Sequence, residues 1–93
     1  MNNQIRIGDA PNTYNPALIV LVDLGFKISI LPDEENEDKL GLWCAQKDNV
    51  ELIADDPLSL LGLAALWKNR GDKWRRKEDK NYYQDIIAKT YPD

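Results

Sequence analysis

The stretch LGLWCAQKDNVELIA, residues 40–54, predicts a β-hairpin. Apolar side chains dominate both arms, 40–47 and 50–54, and Asp48-Asn49 separates them as a two-residue turn. Asp and Asn suit such a turn because both tolerate positive φ angles. We therefore expect two antiparallel strands here, and the rest of the fold is predicted outward from them.

The chain before the hairpin predicts at least one more strand. Residues 26–31 alternate apolar and polar side chains, which is typical of a half-buried strand. Pro32 ends the pairing, and residues 33–39 form an acidic polar loop. Residues 4–7 could add a short strand near the N-terminus. The prediction is an antiparallel meander of three to four strands.

A first helix is predicted over residues 17–24, between Asn15-Pro16 and Gly25. Asn is a favoured helix N-cap, Pro suits the first helical position, and Gly closes helices at the C′ position. The β-branched residues in this run leave a buried strand as the rival interpretation.

The main helix is predicted over residues 58–70. Asp55 or Asp56 caps its start, Pro57 opens it, and Gly71 closes it. One apolar stripe at helical spacing is expected to face the sheet: Leu60, Leu61, Ala64 and Trp67. Gly62, inside the helix, is expected to admit a close neighbour, either the first helix or a partner chain.

A last helix is predicted over residues 80–89, with Asp79 as its N-cap. Tyr83, Ile86 and Ile87 are expected to point inward, with Tyr82 as a further candidate. The resulting order, α-β-β-β-α-α, predicts an α+β fold with two or three helices packed on one face of the sheet. Residues 1–93 are expected to form one domain, with a loose lead-in at 1–14 and a tail at 90–93.

Composition favours a globular protein of a reducing compartment. Apolar residues make up 43% of the 93 and charged residues 30%. Cys44 is the single cysteine, so no intramolecular disulfide can form, and we expect a small buried hydrophobe in a cytoplasmic protein. The longest apolar run, 17–22, has six residues, whereas a membrane helix needs about 20. No signal peptide and no membrane association are expected.

The residue types argue against catalysis and against bound cofactors. Histidine is absent, which removes the commonest general base and zinc ligand. No glycine-rich phosphate loop exists. The acidic run 33–38 does not fit an EF-hand, because the sixth and twelfth positions would be Asp38 and Cys44 rather than Gly and Glu. We expect no enzyme, no cofactor and no metal site.

Charge is segregated along the chain, and this suggests where a partner would bind. Residues 33–56 carry a net −7 and residues 57–93 a net +3 within a total of −4. The basic segment 68–80 is the candidate partner contact, specifically Lys73, Trp74, Arg75, Arg76 and Lys77. Basic side chains beside an aromatic ring also suit nucleic-acid binding, although the net negative charge of the chain disfavours binding to a polyanion. The interpretation that this pattern favours first is a solvated connector between helices, with Trp74 tucked into the core edge, ahead of a protein partner and of nucleic acid.

These observations lead to one functional prediction and two alternatives. The prediction is a small non-catalytic protein-interaction module of regulatory, inhibitor or immunity type. The alternatives are a nucleic-acid accessory protein using segment 68–80 and a small enzyme working through carboxylates. The strand at 50–54 has Glu51 as its only charge and an edge open to pairing, so we also expect a homodimer.

Overall fold

The computed structural model describes residues 4–35 and 41–92. Its elements run in the order predicted from the sequence, α-β-β-β-α-α, with short 3-10 turns at Pro11–Thr13 and Gly71–Lys73. The fold is α+β. The helices and strands are α1 (Tyr14–Asp23), β1 (Lys27–Leu31), β2 (Leu42–Lys47), β3 (Val50–Ala54), α2 (Pro57–Arg70) and α3 (Tyr82–Thr90).

The predicted hairpin is confirmed and forms the centre of the sheet. Strand β2 pairs antiparallel with β1 on one side and with β3 on the other. Lys47 faces Val50 across the turn, and Asp48 adopts a φ of 52°. Residue 40, the predicted start of this strand, lies outside the described residues.

The possible strand at residues 4–7 is not formed, so the described sheet has three strands. Ile5 and Ile7 of that segment are exposed. A strand is stable only when a neighbour accepts its backbone hydrogen bonds, and Gly8 and Pro11 interrupt the segment before it can reach one.

The core lies on one face of the sheet, under α1 and α2. Leu21 of α1, Leu60 of α2 and Ala45 of the central strand are all 0% exposed. Phe26 and Ala64 complete the buried cluster. Because side chains alternate along a strand, the same alternation that turns Ala45 toward the helices turns Cys44 to the opposite face.

That opposite face carries no helix among the described residues. Cys44 is nevertheless only 3% exposed, between its register partners Ser29 and Ile53. The prediction of a small buried hydrophobe at this position is confirmed. Leu31, Leu42 and Ile53 stay partly open to solvent on this face.

The start of α2 and the ends of α1 and α2 are formed by the predicted residues. Asp56 accepts hydrogen bonds from the backbone N–H of Ser59 at 2.7 Å and from its hydroxyl at 3.0 Å. These bonds, the backbone one foremost, lower the pKa of Asp56. Gly25, which follows the C-cap Leu24 of α1, and Gly71, which directly follows α2, adopt φ angles of 96° and 71°.

The predicted start of α1 is wrong. A 3-10 turn from Pro11 runs straight into the helix, so α1 begins at Tyr14 and Asn15 lies inside it. Thr13 takes the cap position, but its hydroxyl donates back to the carbonyl of Ala10 at 2.6 Å and caps no N–H of the helix.

The prediction for the last helix is also wrong in two respects. Asn81, not Asp79, caps α3, and its side chain accepts from the backbone N–H of Gln84 at 3.0 Å. The side chains of Tyr83, Ile86 and Ile87 do not point inward, since every residue of α3 is exposed. The covered face of the sheet is already occupied by α1 and α2, which leaves α3 no place on it.

Leu60 and Leu61 provide a matched test of the core. Leu60 is fully buried, whereas Leu61 packs against the cluster and is half-buried. We expect Leu60→Ala to lower the free energy of unfolding by about 2–5 kcal/mol, and Leu61→Ala by less. Urea unfolding of both variants measures this, and an equal or larger loss for Leu61→Ala would contradict the assigned core face.

Gly62 has no close neighbour among the described residues, so the expected approach of the first helix is wrong and the partner chain stays a prediction. A Cβ built at this position meets nothing within 4 Å. We expect Gly62→Ala to raise the free energy of unfolding by about 0.8–1 kcal/mol, because Ala restricts the unfolded chain and favours the helix. Gly71→Ala is the control and should destabilise, owing to its φ of 71°.

Candidate interaction surface

A bidentate ion pair fixes the connector between α2 and α3. The guanidinium nitrogens Nη1 and Nη2 of Arg70 each lie 2.7 Å from a carboxylate oxygen of Asp79. Arg70 Nη1 also donates to the carbonyl of Trp74 at 3.0 Å, and the backbone N–H of Arg76 donates to Asp79 at 3.2 Å. The connector therefore folds back on the end of α2 before α3 begins.

The same contacts set the charge states of the pair. Hydrogen bonds from Arg70 are the main cause that lowers the pKa of Asp79 to about 2. Reciprocally, the Asp79 carboxylate raises the pKa of Arg70. Both groups are charged at neutral pH, so the closed connector is the neutral-pH form.

The five candidate contact residues lie together on this loop, and all are exposed: Lys73, Trp74, Arg75, Arg76 and Lys77. The Arg75 guanidinium sits 5.3 Å from the centroid of the Trp74 ring, a cation–π distance. Arg76 Nε donates to the carbonyl of Lys73 at 2.9 Å. The loop thus presents several cations around one half-exposed tryptophan.

Trp74 does not tuck into the core edge. It is 46% exposed and lines a groove of about 450 Å³ beside the free edge of β3. We call this the β3 groove. Its apolar lining comes from β3, α2 and the connector: Val50, Leu52, Ile53, Leu63, Leu66, Trp67 and Trp74.

Trp67 joins the β3 groove to the core. Its ring meets Phe26 edge to face, with centroids 6.2 Å apart and an interplanar angle of 79°. Phe26 is buried, so this contact fixes the indole that forms part of the groove wall. The charged residues that line the groove are Glu51 and Asp72, both acidic.

Helix α3 is the second exposed apolar feature. It makes no substantial packing contact with the other described helices and strands. Tyr83 is 73% exposed and Ile86 62%. One side of the helix carries two rows of residues at i, i+4 spacing: Tyr82, Ile86 and Thr90 in one row, and Tyr83 and Ile87 in the next. The opposite side carries Gln84, Asp85 and Ala88.

The exposed area of the chain exceeds that of a compact monomer. Its accessible surface is 8354 Å², against about 5,500 Å² for a compact protein of this mass. The nine residues outside the described ranges contribute at most about 1,500 Å² when fully extended. The Cα radius of gyration, 16.7 Å, likewise exceeds the roughly 12 Å of a compact chain of this length.

Neither a membrane helix nor a metal centre is found in residues 4–35 and 41–92. Each helix there falls short of the length and apolarity that crossing a bilayer requires. No group of three potential ligands among Cys, Asp and Glu side chains comes together in the same ranges. Comparison with protein-family models, with curated proteins and with solved structures finds no match to this chain.

Sequence reasoning identified the connector but missed both apolar features beside it. The β3 groove is formed by residues from three separate elements, so no local pattern marks it. The amphipathic pattern of α3 is visible in the sequence, but it predicts a helix that faces the core, because apolar helical stripes usually do. The signal for an exposed α3 is the number of elements. Two earlier helices are enough to cover one face of the small sheet, so the apolar side of a third helix is left over.

The ion pair predicts a protease-sensitive connector when Asp79 is changed. We expect Asp79→Asn to accelerate trypsin cleavage after Arg75, Arg76 and Lys77, because the loop loses its bidentate closure. Glu78→Gln is the control, since it removes the same charge one residue away, where no ion pair is formed among the described residues. Equal cleavage rates for the two variants would show that the pair does not hold the connector.

Acidification should open the connector in the parent chain. The pKa of Asp79 is depressed in the folded state to about 2, from about 3.9 in an unfolded chain. The stabilisation that ionised Asp79 gives the connector is therefore complete at a pH above the pKa of the unfolded chain. It is lost as the pH falls through the pKa of the folded state. An acid-stable protease such as pepsin, used from pH 4 to pH 2, should cut the connector of the parent progressively faster relative to Asp79→Asn, whose connector lacks the ion pair at every pH.

Proposed function

We propose that this chain is a non-catalytic protein-interaction module whose contact surface is its C-terminal arm, residues 73–91. The observation that carries the proposal is α3, an amphipathic helix with its apolar side in solvent. A helix of nine residues is marginal in water on its own, since isolated helices need about 12–15 residues. Burial of the Ile86 side against another surface would stabilise it.

The charges of the connector add selectivity to this surface. Lys73, Arg75 and Lys77 are exposed on the loop held by Arg70 and Asp79. Charges at the rim of an interface mainly accelerate encounter and exclude wrong partners, while apolar residues at its centre provide affinity. The arm has both components, which supports a protein partner of regulatory, inhibitor or immunity-adaptor type. A cytoplasmic setting fits the single buried Cys44.

Nucleic acid is the second candidate, favoured by the same exposed bases. Segment 68–80 carries seven bases against three acids. Stacking of a base on Trp74 would have to compete with Arg75, which already lies over that ring. The neighbouring Glu51 and Asp72 in the β3 groove would repel phosphate. We therefore rank a protein partner first.

A carboxylate-dependent enzyme has the least support. A general acid at neutral pH needs a raised carboxyl pKa. The pKa values of Asp56 and Asp79 are both lowered, one by capping α2 and the other by pairing with Arg70. Both pKa values are therefore shifted away from the raised value that a general acid needs, and both carboxylates already bond to structural partners.

Ile86→Asp tests the proposal, with Ile19→Asp as the matched control. Both isoleucines are exposed and lie on helices, so neither change should unfold the chain. Immobilised parent and variants are incubated with native lysate and with a labelled copy of the chain itself. We expect a protein bound in stoichiometric amount by the parent and by Ile19→Asp, and at least tenfold less by Ile86→Asp.

Two results would contradict the proposal. One is equal recovery of every bound protein by all three chains. The other is binding of lysate proteins to the immobilised chain that nuclease treatment abolishes, which would favour nucleic acid bound by the basic loop.

A further inference from the structure

We infer that the partner of α3 is a second copy of this chain, whose β3 groove receives it, and that the exchange is reciprocal. This inference rests on the function proposed above and names its partner. The product is a two-fold dimer with two identical helix-in-groove contacts. Such an isologous arrangement is the commonest symmetry of homo-oligomers.

The dimensions of helix and groove agree. The nine residues of α3 span about 13.5 Å at 1.5 Å per residue. The five residues of β3 span about 16.5 Å at 3.3 Å per residue. Ile86 and Ile87 lie near the middle of the helix and face the same side, so both side chains can enter a cavity of about 450 Å³.

The charges agree as well. Glu51 and Asp72 make the groove lining acidic, and no base belongs to that lining among the described residues. Lys80 and Lys89 flank the apolar side of α3, one at each end of the helix. Asp85, the acidic residue of α3, lies on the side away from the stripe. A helix that enters the groove therefore places cations next to carboxylates.

The connector explains why the contact is made between chains. The Arg70–Asp79 pair returns the chain to the end of α2, and α3 starts three residues later without packing on its own α2 or β3. The groove and the apolar side of the helix thus both remain open to solvent in one chain. Two chains satisfy both surfaces without any change in the connector.

The surplus area of the chain, to which α3 and the exposed residues 4–10 both contribute, is of the size that a dimer contact needs. At least about 1,300 Å² per chain remains above a compact monomer after the undescribed residues are allowed for. Obligate dimers bury about 2,000–5,000 Å² in total, which is roughly 1,000–2,500 Å² for each partner. The surplus of one chain falls within that range.

Complementation between two variants tests the exchange. Ile86→Asp has a damaged helix and an intact groove. Leu66→Asp, changed at an exposed residue of α2 in the groove lining, has an intact helix and a damaged groove. Light scattering should give the parent twice the 10.7 kDa mass of one chain. Each variant alone should stay at the monomer mass, and their equimolar mixture should regain a dimer with one helix in one groove.

Circular dichroism melts verify that both variants are folded, and Ile19→Asp should remain dimeric.

Several results overturn the inference. A parent at the monomer mass at every concentration does so, as does a mixture of the two variants that stays monomeric. A dimeric Ile86→Asp variant does so as well, and would favour direct pairing of two β3 edges. A monomeric parent that still loses a foreign partner on Ile86→Asp overturns the dimer alone and leaves the proposed function standing.

Discussion

The fold depends on one contact, the meeting of Leu21 and Leu60 with Ala45 of the central strand. All three are fully buried, and they come from α1, α2 and β2. The small side chain of Ala45 lets both helices settle close to the sheet, as close packing of a small core demands. Helices α1 and α2 already cover this face of the three-stranded sheet, and α3 lies outside the core that they form.

Because α3 lies outside the core, every residue of the C-terminal arm is exposed. Lys47 closes the core beside Phe26, donating to the carbonyl of Leu24 at 2.8 Å and lying 5.9 Å from the centroid of the Phe26 ring. At the end of α2, Trp67 leaves one side of its ring in the β3 groove, and the Arg70–Asp79 pair folds the connector back on α2 before the exposed α3 begins. The buried core and the exposed arm are therefore formed by different parts of a short chain.

The local elements could be predicted from the sequence because their causes are local. Asp48-Asn49 dictates a turn, Asp56-Pro57 starts a helix, and Gly71 ends one, whatever the surroundings. The position of α3 could not, because an apolar stripe such as the one at Ile86 is equally suited to a core and to a partner. The β3 groove combines residues distant in sequence, and the hydroxyl of Thr13, not the side chain of Asn15, meets the 3-10 turn before α1.

Hydrogen exchange at several protein concentrations tests the separation of core and arm most directly. We expect amides of β2 and α2 to exchange slowly at every concentration, because they open only with the whole domain. Amides of α3 should exchange rapidly in dilute protein and become protected as the concentration rises, since a nine-residue helix needs a partner surface. Protection of α3 equal to that of α2 in dilute protein would contradict the account.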